Sequence, residues 1–314
     1  MARVLITPRS LTAAPPPELG RLRRAGHELI FSTPGEMPGE AELLQLVPEV
    51  HGWLAGVEPV SPGVIAAAAR LRVISRNGSG VDNLPMAVLE ERGIRVARAM
   101  AANATGVAEL AIGLIVAACR HLPEVCHGVR GGGWPRPKGR EIENAVVGIV
   151  GAGAIGRKVA GILAEFGAEV LAFDPFRPDL GRLAARVRYV NLPELFEHAE
   201  IITLHCPATA DGSPLVDAAA LASMRRGTIL VNTARAGLID EIALVAALDG
   251  GRIAAYATDV FGEEPPAADG LAAHPKVIAT SHIGGLTDES IGRATDLAVD
   301  NLLRHLGEVS HAVD

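Results

Sequence analysis

Aromatic side chains are scarce in this chain: Phe, Trp and Tyr together make up 3% of its 314 residues. That leaves little material for a platform on which bases or sugars could stack. Long basic runs are missing too, and the formal charge is −7, so no nucleic-acid partner is expected. Cysteine is rare. Cys119, Cys126 and Cys206 are an odd number without paired metal-ligand spacing, which speaks against a disulfide framework and gives no metal site. The longest helical apolar run, around residues 111–118, falls far short of the ~20 residues a membrane span requires. The apolar core of the opening "MARVLITPRS" is too short for a signal peptide. A cytoplasmic protein with no membrane partner is the expectation.

What the chain has in quantity is hydrophobic residues, 49% of the total, arranged as short apolar runs that alternate with helical segments. This is the pattern of βα units and a parallel sheet, so the fold class is α/β. "RVLI", "HELIFS", "GWLAG", "LRVISR" and "GIRVA" are strand candidates in the first hundred residues. A second series holds "AVVGIV", "EVLAF", "IITLHC", "TILVN", "IAAYATDV" and "KVIATS". Two sheets of five or six strands, and hence two domains, suit these better than one very wide sheet. Between the series, residues 101–122 read as one long, largely buried helix. "RGGGWPRPKGREIEN" after it reads as an exposed loop. The closing stretch reads as a helix with Ile291, Ala294, Leu297, Ala298 and Leu302 on its apolar face.

Gly151, Gly153 and Gly156 stand between the strand "AVVGIV" and the helix "AIGRKVAGILAEFG". Three glycines can mark no more than a turn. In this context the first permits the tight turn and the second lets the backbone approach a pyrophosphate. The third lets helix and strand pack closely, with the helix N-terminus aimed at the phosphates. Asp174 closes the next strand, about 20 residues on, where a carboxylate accepts bonds from ribose hydroxyls and repels a 2′-phosphate. The expected cofactor is therefore NAD in preference to NADP, with Arg177 as a nearby residue that could tolerate a phosphate.

Three later strand ends carry polar residues: Arg235 in "ILVNTARAGLIDE", Asp259 and Glu264 in "YATDVFGEEPP", and His282 in "IATSHIGG". Any one alone reads equally well as structural; together, beside a dinucleotide turn, they form a catalytic set. Hydride transfer at an alcohol carbon needs a group to take or give the hydroxyl proton. Histidine does both near neutrality, which points to His282. Glu264 beside it would favour the imidazolium form and fix the ring tautomer. Arg235 offers a planar fork of donors that suits a carboxylate.

"RNGSGVDN", "NATGVAEL", "VGIVGAGAIG", "ITLHCPAT", "LVNTARAGLIDE", "ATDVFGEEP" and "SHIGG" carry a resemblance over nearly the whole chain to the D-isomer-specific 2-hydroxyacid dehydrogenases, a family that includes phosphoglycerate dehydrogenases and glyoxylate/hydroxypyruvate reductases. The resemblance implies a Rossmann-type doubly wound parallel nucleotide domain, residues 100–284, inserted in a smaller flavodoxin-like α/β substrate domain, residues 1–99 and 285–314. The family's catalytic residues fall on Arg235, Glu264 and His282. Its cofactor-binding positions fall on Gly151, Gly153, Ala154, Ile155, Gly156, Asp174, Cys206, Pro207, Thr233, Ala234, Asp259 and Gly284. Its substrate loop falls on Asn77, Gly78, Ser79 and Gly80, whose backbone N–H groups would meet the substrate carboxylate together with Arg235. A homodimer through the nucleotide domain, using the helix from Ala104, is also implied. The chain departs from the family at Ala154, where a basic residue is common, at Ser281 in place of a proline, at Gly212 in place of a threonine, and at Tyr256 in place of a glycine.

The implied substrate is a small 2-oxo or D-2-hydroxy acid. A phosphorylated substrate needs cations beyond Arg235; Arg76 is suitably placed before the substrate loop, but "WLAGVEPVS" offers the acid Glu58 and no base, which favours an unphosphorylated substrate. D-3-phosphoglycerate oxidation is the alternative within the class, with phosphite or formate oxidation behind it. An NAD(H)-sensing, corepressor-like binding protein is the alternative outside it.

Overall fold

Every strand pairing in the structure, a computed structural model that describes residues 1–307, is parallel. The chain divides into two compact units, one of Met1–Asn103 with the segment from Asp288, the other of Ala104–Thr287.

The first unit holds β1 (Arg3–Ile6), β2 (Glu28–Phe31), β3 (Gly52–Ala55), β4 (Val73–Arg76) and β5 (Arg95–Arg98), in the order β2-β1-β3-β4-β5. That is the flavodoxin-like order. Its central strands β3 and β4 are buried along their whole length, whereas the edge strands β2 and β5 are not, as expected for a sheet covered on both faces. Ser61 caps the short helix Pro62–Ala67 by accepting from Val64 N, with a proline at the helix start. The helix Asp288–Gly307 closes the unit against β3 and β4. It comes so near that a Cβ on Gly52 would stand 3.0 Å from Leu306 Cδ1. Of its expected apolar face, Ala294, Ala298 and Leu302 are buried, but Leu297 is 40% exposed and turns to solvent. Residues 308–314 of the expected 285–314 segment lie outside the described residues.

The second unit adds β6 (Val146–Val150), β7 (Glu169–Phe173), β8 (Val187–Tyr189), β9 (Ile201–Leu204), β10 (Thr228–Asn232), β11 (Ile253–Thr258) and β12 (Val277–Ala279). Their order is β12-β11-β10-β9-β6-β7-β8, so this sheet has seven strands, more than the five or six expected. The extra one is β8, a three-residue edge strand that escapes an apolar-run reading because Arg188 sits at its centre. The chain reverses its direction of growth between β6 and β9, the switch point where doubly wound sheets hold ligands. Residues 101–122 are not one helix. The helix runs over Ala104–Cys119, packs on the helix Ala154–Glu165, and gives way at left-handed His121 to a second helix, Leu122–Arg130, with no buried residue. No single described helix is long and apolar enough to cross a membrane.

Candidate active site

The glycine turn lies at the switch point. Gly151 has φ 97°, and a Cβ there would stand 2.6 Å from the His205 carbonyl oxygen at the end of β9. At Gly156 an added Cβ would collide with the carbonyl oxygen of Gly151, so any side chain forces the turn apart. Gly153, which precedes the helix Ala154–Glu165, is different: a Cβ there would meet nothing within 4 Å. Backbone space is thus tight at two glycines and open at the one that should face a pyrophosphate, so the residues present fit a dinucleotide. Asp174 at the end of β7 accepts from Ala152 N through Oδ2 (2.9 Å) and from Phe176 N through Oδ1 (2.9 Å), which ties the carboxylate to the turn. Ala154 and Ile155 open the helix beyond it.

Across the switch point, Cys206 and Pro207 follow β9. Burial pushes the Cys206 thiol up to about 11, so it stays protonated and unreactive. His205, before it, went unnoticed in the sequence. Its side chain is only part-buried, but its Nδ1 is sealed from solvent without a partner, while Nε2 lies 3.0 Å from Thr203 Oγ1. Desolvation lowers its pKa to about 3, and the ring is neutral.

Strands β10, β11 and β12 end in step: Asn232 pairs with Thr258, and Thr258 with Ala279. With neighbouring strands about 4.8 Å apart, the three loops that follow start from one line. On the first, fully buried Asn232 donates to Arg235 O (2.8 Å) and accepts from Ala234 N (3.0 Å), fixing the turn that presents Arg235. Arg235 Nη1 in turn donates to Ala234 O (2.6 Å). Thr233, 8% exposed, holds a buried hydroxyl with no protein partner, an atom suited to a ligand.

On the second loop Asp259 is 2% exposed and both its oxygens are engaged. Oδ1 accepts from Thr280 Oγ1 (2.7 Å) and Ile283 N (2.9 Å), and Oδ2 from Gly284 N (2.8 Å). The carboxylate is therefore a clasp on the loop that carries His282. Glu264, farther along, accepts from Phe261 N (3.1 Å) and faces His282, with Nδ1 at 2.8 Å from Oε2 and 3.0 Å from Oε1. This pair is open to solvent, the side chains being 54% and 40% exposed. His282 has φ 57°, a left-handed conformation that costs a non-glycine residue about 1 kcal/mol and so has to be held by its surroundings. The clasp from Asp259 supplies that hold. With Nδ1 committed to Glu264, Nε2 is the nitrogen left for proton exchange.

In the first unit the loop of residues 77–80 follows β4. Asn77 N donates to Ala55 O (2.9 Å), Gly78 O accepts from Ala99 N (3.0 Å), and Ser79 O accepts from Arg98 Nε (2.7 Å). Among the described residues, the N–H groups of Gly78, Ser79 and Gly80 meet no protein acceptor, leaving three donors for an anion. No group of three or more His, Cys, Asp or Glu among the described residues is placed to hold a metal ion.

The sequence model of the D-isomer specific 2-hydroxyacid dehydrogenase NAD binding domain matches residues 112–284. A hydroxypyruvate reductase of Thermotoga maritima is 35% identical over 272 residues, covering 85% of this chain and 88% of that protein. A D-3-phosphoglycerate dehydrogenase of Mycobacterium bovis is 37% identical over 275 residues, 86% of this chain; the chain spans only 52% of that relative's length. Among solved structures, a glyoxylate reductase of Paecilomyes thermophila superposes with a TM-score of 0.85 at 27% identity, over 96% of this chain and 94% of that one.

Proposed function

The chain belongs to the D-isomer-specific 2-hydroxyacid dehydrogenase family and is an NAD-dependent oxidoreductase; from that premise we propose that it interconverts a small unphosphorylated 2-oxo acid and its D-2-hydroxy acid in the cytoplasm. The observation that carries this reading is the exposed His282–Glu264 pair, Nδ1 at 2.8 Å from Oε2, on a loop that starts level with the one presenting Arg235.

In this reading His282 is the catalytic acid and base, giving the substrate oxygen its proton from Nε2 during reduction and taking it back during oxidation. Glu264 fixes the tautomer and the orientation of the ring. Arg235 binds the substrate carboxylate through two parallel N–H bonds. The free N–H groups of Gly78, Ser79 and Gly80 are donors of the same kind, and Asn77 orients their loop. Gly151, Gly153, Ala154, Ile155 and Gly156 hold the pyrophosphate, Asp174 the adenosine ribose, and Cys206, Pro207, Thr233 and Ala234 the nicotinamide half. Asp259 and Gly284 act through the clasp. NAD bound there supplies the hydride chemistry.

Residues 1–99 with 285–314 serve as the substrate domain and residues 100–284 as the nucleotide domain. A second copy covering the exposed helix Leu122–Arg130, where Leu122 and Val129 face solvent, would make the molecule a dimer through its nucleotide domain. D-3-phosphoglycerate oxidation is the second reading, favoured by the 37% identical relative.

The test is a turnover panel: purified protein with NADH or NADPH and glyoxylate, hydroxypyruvate, pyruvate and phosphorylated hydroxypyruvate, followed by absorbance. Turnover with NADH and the unphosphorylated acids is expected. Preference for the phosphorylated acid would favour the second reading. Tight NADH binding with no oxidation anywhere on the panel would favour a cofactor-sensing binding protein.

A further inference from the structure

The amino edge of the first sheet, opposite the edge from which residues 77–80 leave, gathers basic side chains that the chemistry above does not use. His27 precedes β2, His51 precedes β3 and Arg72 precedes β4. The backbone sets them in one row: Glu28 N donates to Ala2 O (2.9 Å), His51 N to Arg3 O (2.8 Å) and Arg72 N to His51 O (3.0 Å). Adjacent strands lie about 4.8 Å apart, so one small ligand reaches both His51 and Arg72. Two nitrogens of this row, His27 Nδ1 and Arg72 Nε, are sealed from solvent without a partner. The neighbouring cations are neutralised, Arg3 by Glu28 (2.9 Å) and Arg70 by Glu49 (2.8 Å), whereas among the described residues no carboxylate meets Arg72. His51 Nδ1 accepts from Arg3 N (3.2 Å), which puts the ring proton on Nε2. Burial lowers the pKa of both imidazoles. The charges on Arg72 and the amino terminus lower each further, and at His51 Arg70 adds to this while Glu49 opposes it.

Native folds leave few buried nitrogens unmet, and an unpaired guanidinium beside two imidazoles is a repulsive arrangement that an anion relieves. We propose that this edge binds a phosphate group, held by the Arg72 fork and His51 Nε2–H, with His27 responding to its charge. A phosphate suits the edge better than a planar carboxylate, because its oxygens point both to a fork and to a separate ring donor. Arg72 is half-buried, so a small outward turn of its guanidinium brings Nε and the neighbouring Nη to two of those oxygens. The site lies wholly within the first unit and does not depend on the dehydrogenase reading.

Inorganic phosphate, compared with chloride at matched ionic strength, should shift the ring NMR signals of His27 and His51 saturably in the purified protein. His27→Gln and His51→Gln assign those signals. Both titration midpoints should rise with phosphate, because its charge offsets that of Arg72. Arg72→Gln should raise the midpoints without phosphate and weaken phosphate binding at least about tenfold. Arg72→Lys keeps the charge and loses the fork, and it carries the test if the glutamine variant does not fold: the midpoints stay low and phosphate binds more weakly. Glycerol phosphate separates the sources of the ligand. Tighter binding than phosphate identifies a phosphate monoester, equal or weaker binding the free ion, and either upholds the site. No response to phosphate, equal shifts from chloride, or a response undiminished in a folded Arg72 variant would leave an adventitious ion only and overturn the proposal.

Discussion

The two parallel sheets use their carboxyl edges in opposite ways. In the first unit the polar groups there are buried: Thr7 and Glu58, bonded to each other, and Arg76 are all under 8% exposed. In the second, the groups read as reactive stand in solvent, His282 at 54% and Glu264 at 40%, while the buried ones, Asn232 and Asp259, hold loops. A group that must exchange protons with a substrate needs access, whereas one that only fastens backbone is held more firmly out of water. Burial thus separates groups that react from groups that arrange.

The largest test of that separation is His282→Ala. Removing the exposed acid and base should lower kcat by about 10²–10⁴, with NADH affinity nearly intact by fluorescence titration. A wild-type rate would erase the distinction between the edges. Next comes the pH dependence of stability. His205 in the second unit has a lowered pKa, so its contribution is complete above the ordinary value of 6.5 and is lost as pH falls toward about 3. Glu58 in the first unit has a raised pKa, so its contribution is present below 4.5 and is lost as pH rises through the folded value. Urea unfolding between pH 7 and pH 4 should lose at most about 1.4 kcal/mol per pH unit through His205. His205→Gln should flatten that slope; an unchanged slope would remove the sealed imidazole from the account. The smallest expected effect is at Asp174. Asp174→Ala should narrow the preference for NAD over NADP by about tenfold, near 1.4 kcal/mol, in the ratio of the two kcat/KM values. Because the carboxylate also ties the turn at Ala152, affinity for NAD itself should fall.

Strands were legible in the sequence where both faces are buried: β3, β4, β9 and β10 are buried throughout, mostly apolar, and read directly as strands. β8 was not legible, being three residues at an edge with Arg188 in the middle. The helix Leu122–Arg130 was missed because nothing on it is buried, so no apolar face announces it. Of the candidate site, Arg235, Glu264 and His282 could be named because reactive residue types stand just past strand ends. The bonds that the deeper tier makes could not be read there. Thr7 and Glu58 are 51 positions apart, and only the pairing of β1 with β3 brings them together. Nothing local distinguishes Asp259, the clasp, from an acid that faces solvent.

That clasp has a consequence for how the loop sequence can vary. His282 takes its address from a carboxylate fastened at the end of β11, not from the length of chain connecting the two strands. Insertions or deletions in the exposed part of residues 265–275 can therefore drift without dislodging the proton carrier, and that stretch is free to be redrawn for other molecules while the chemistry stays put.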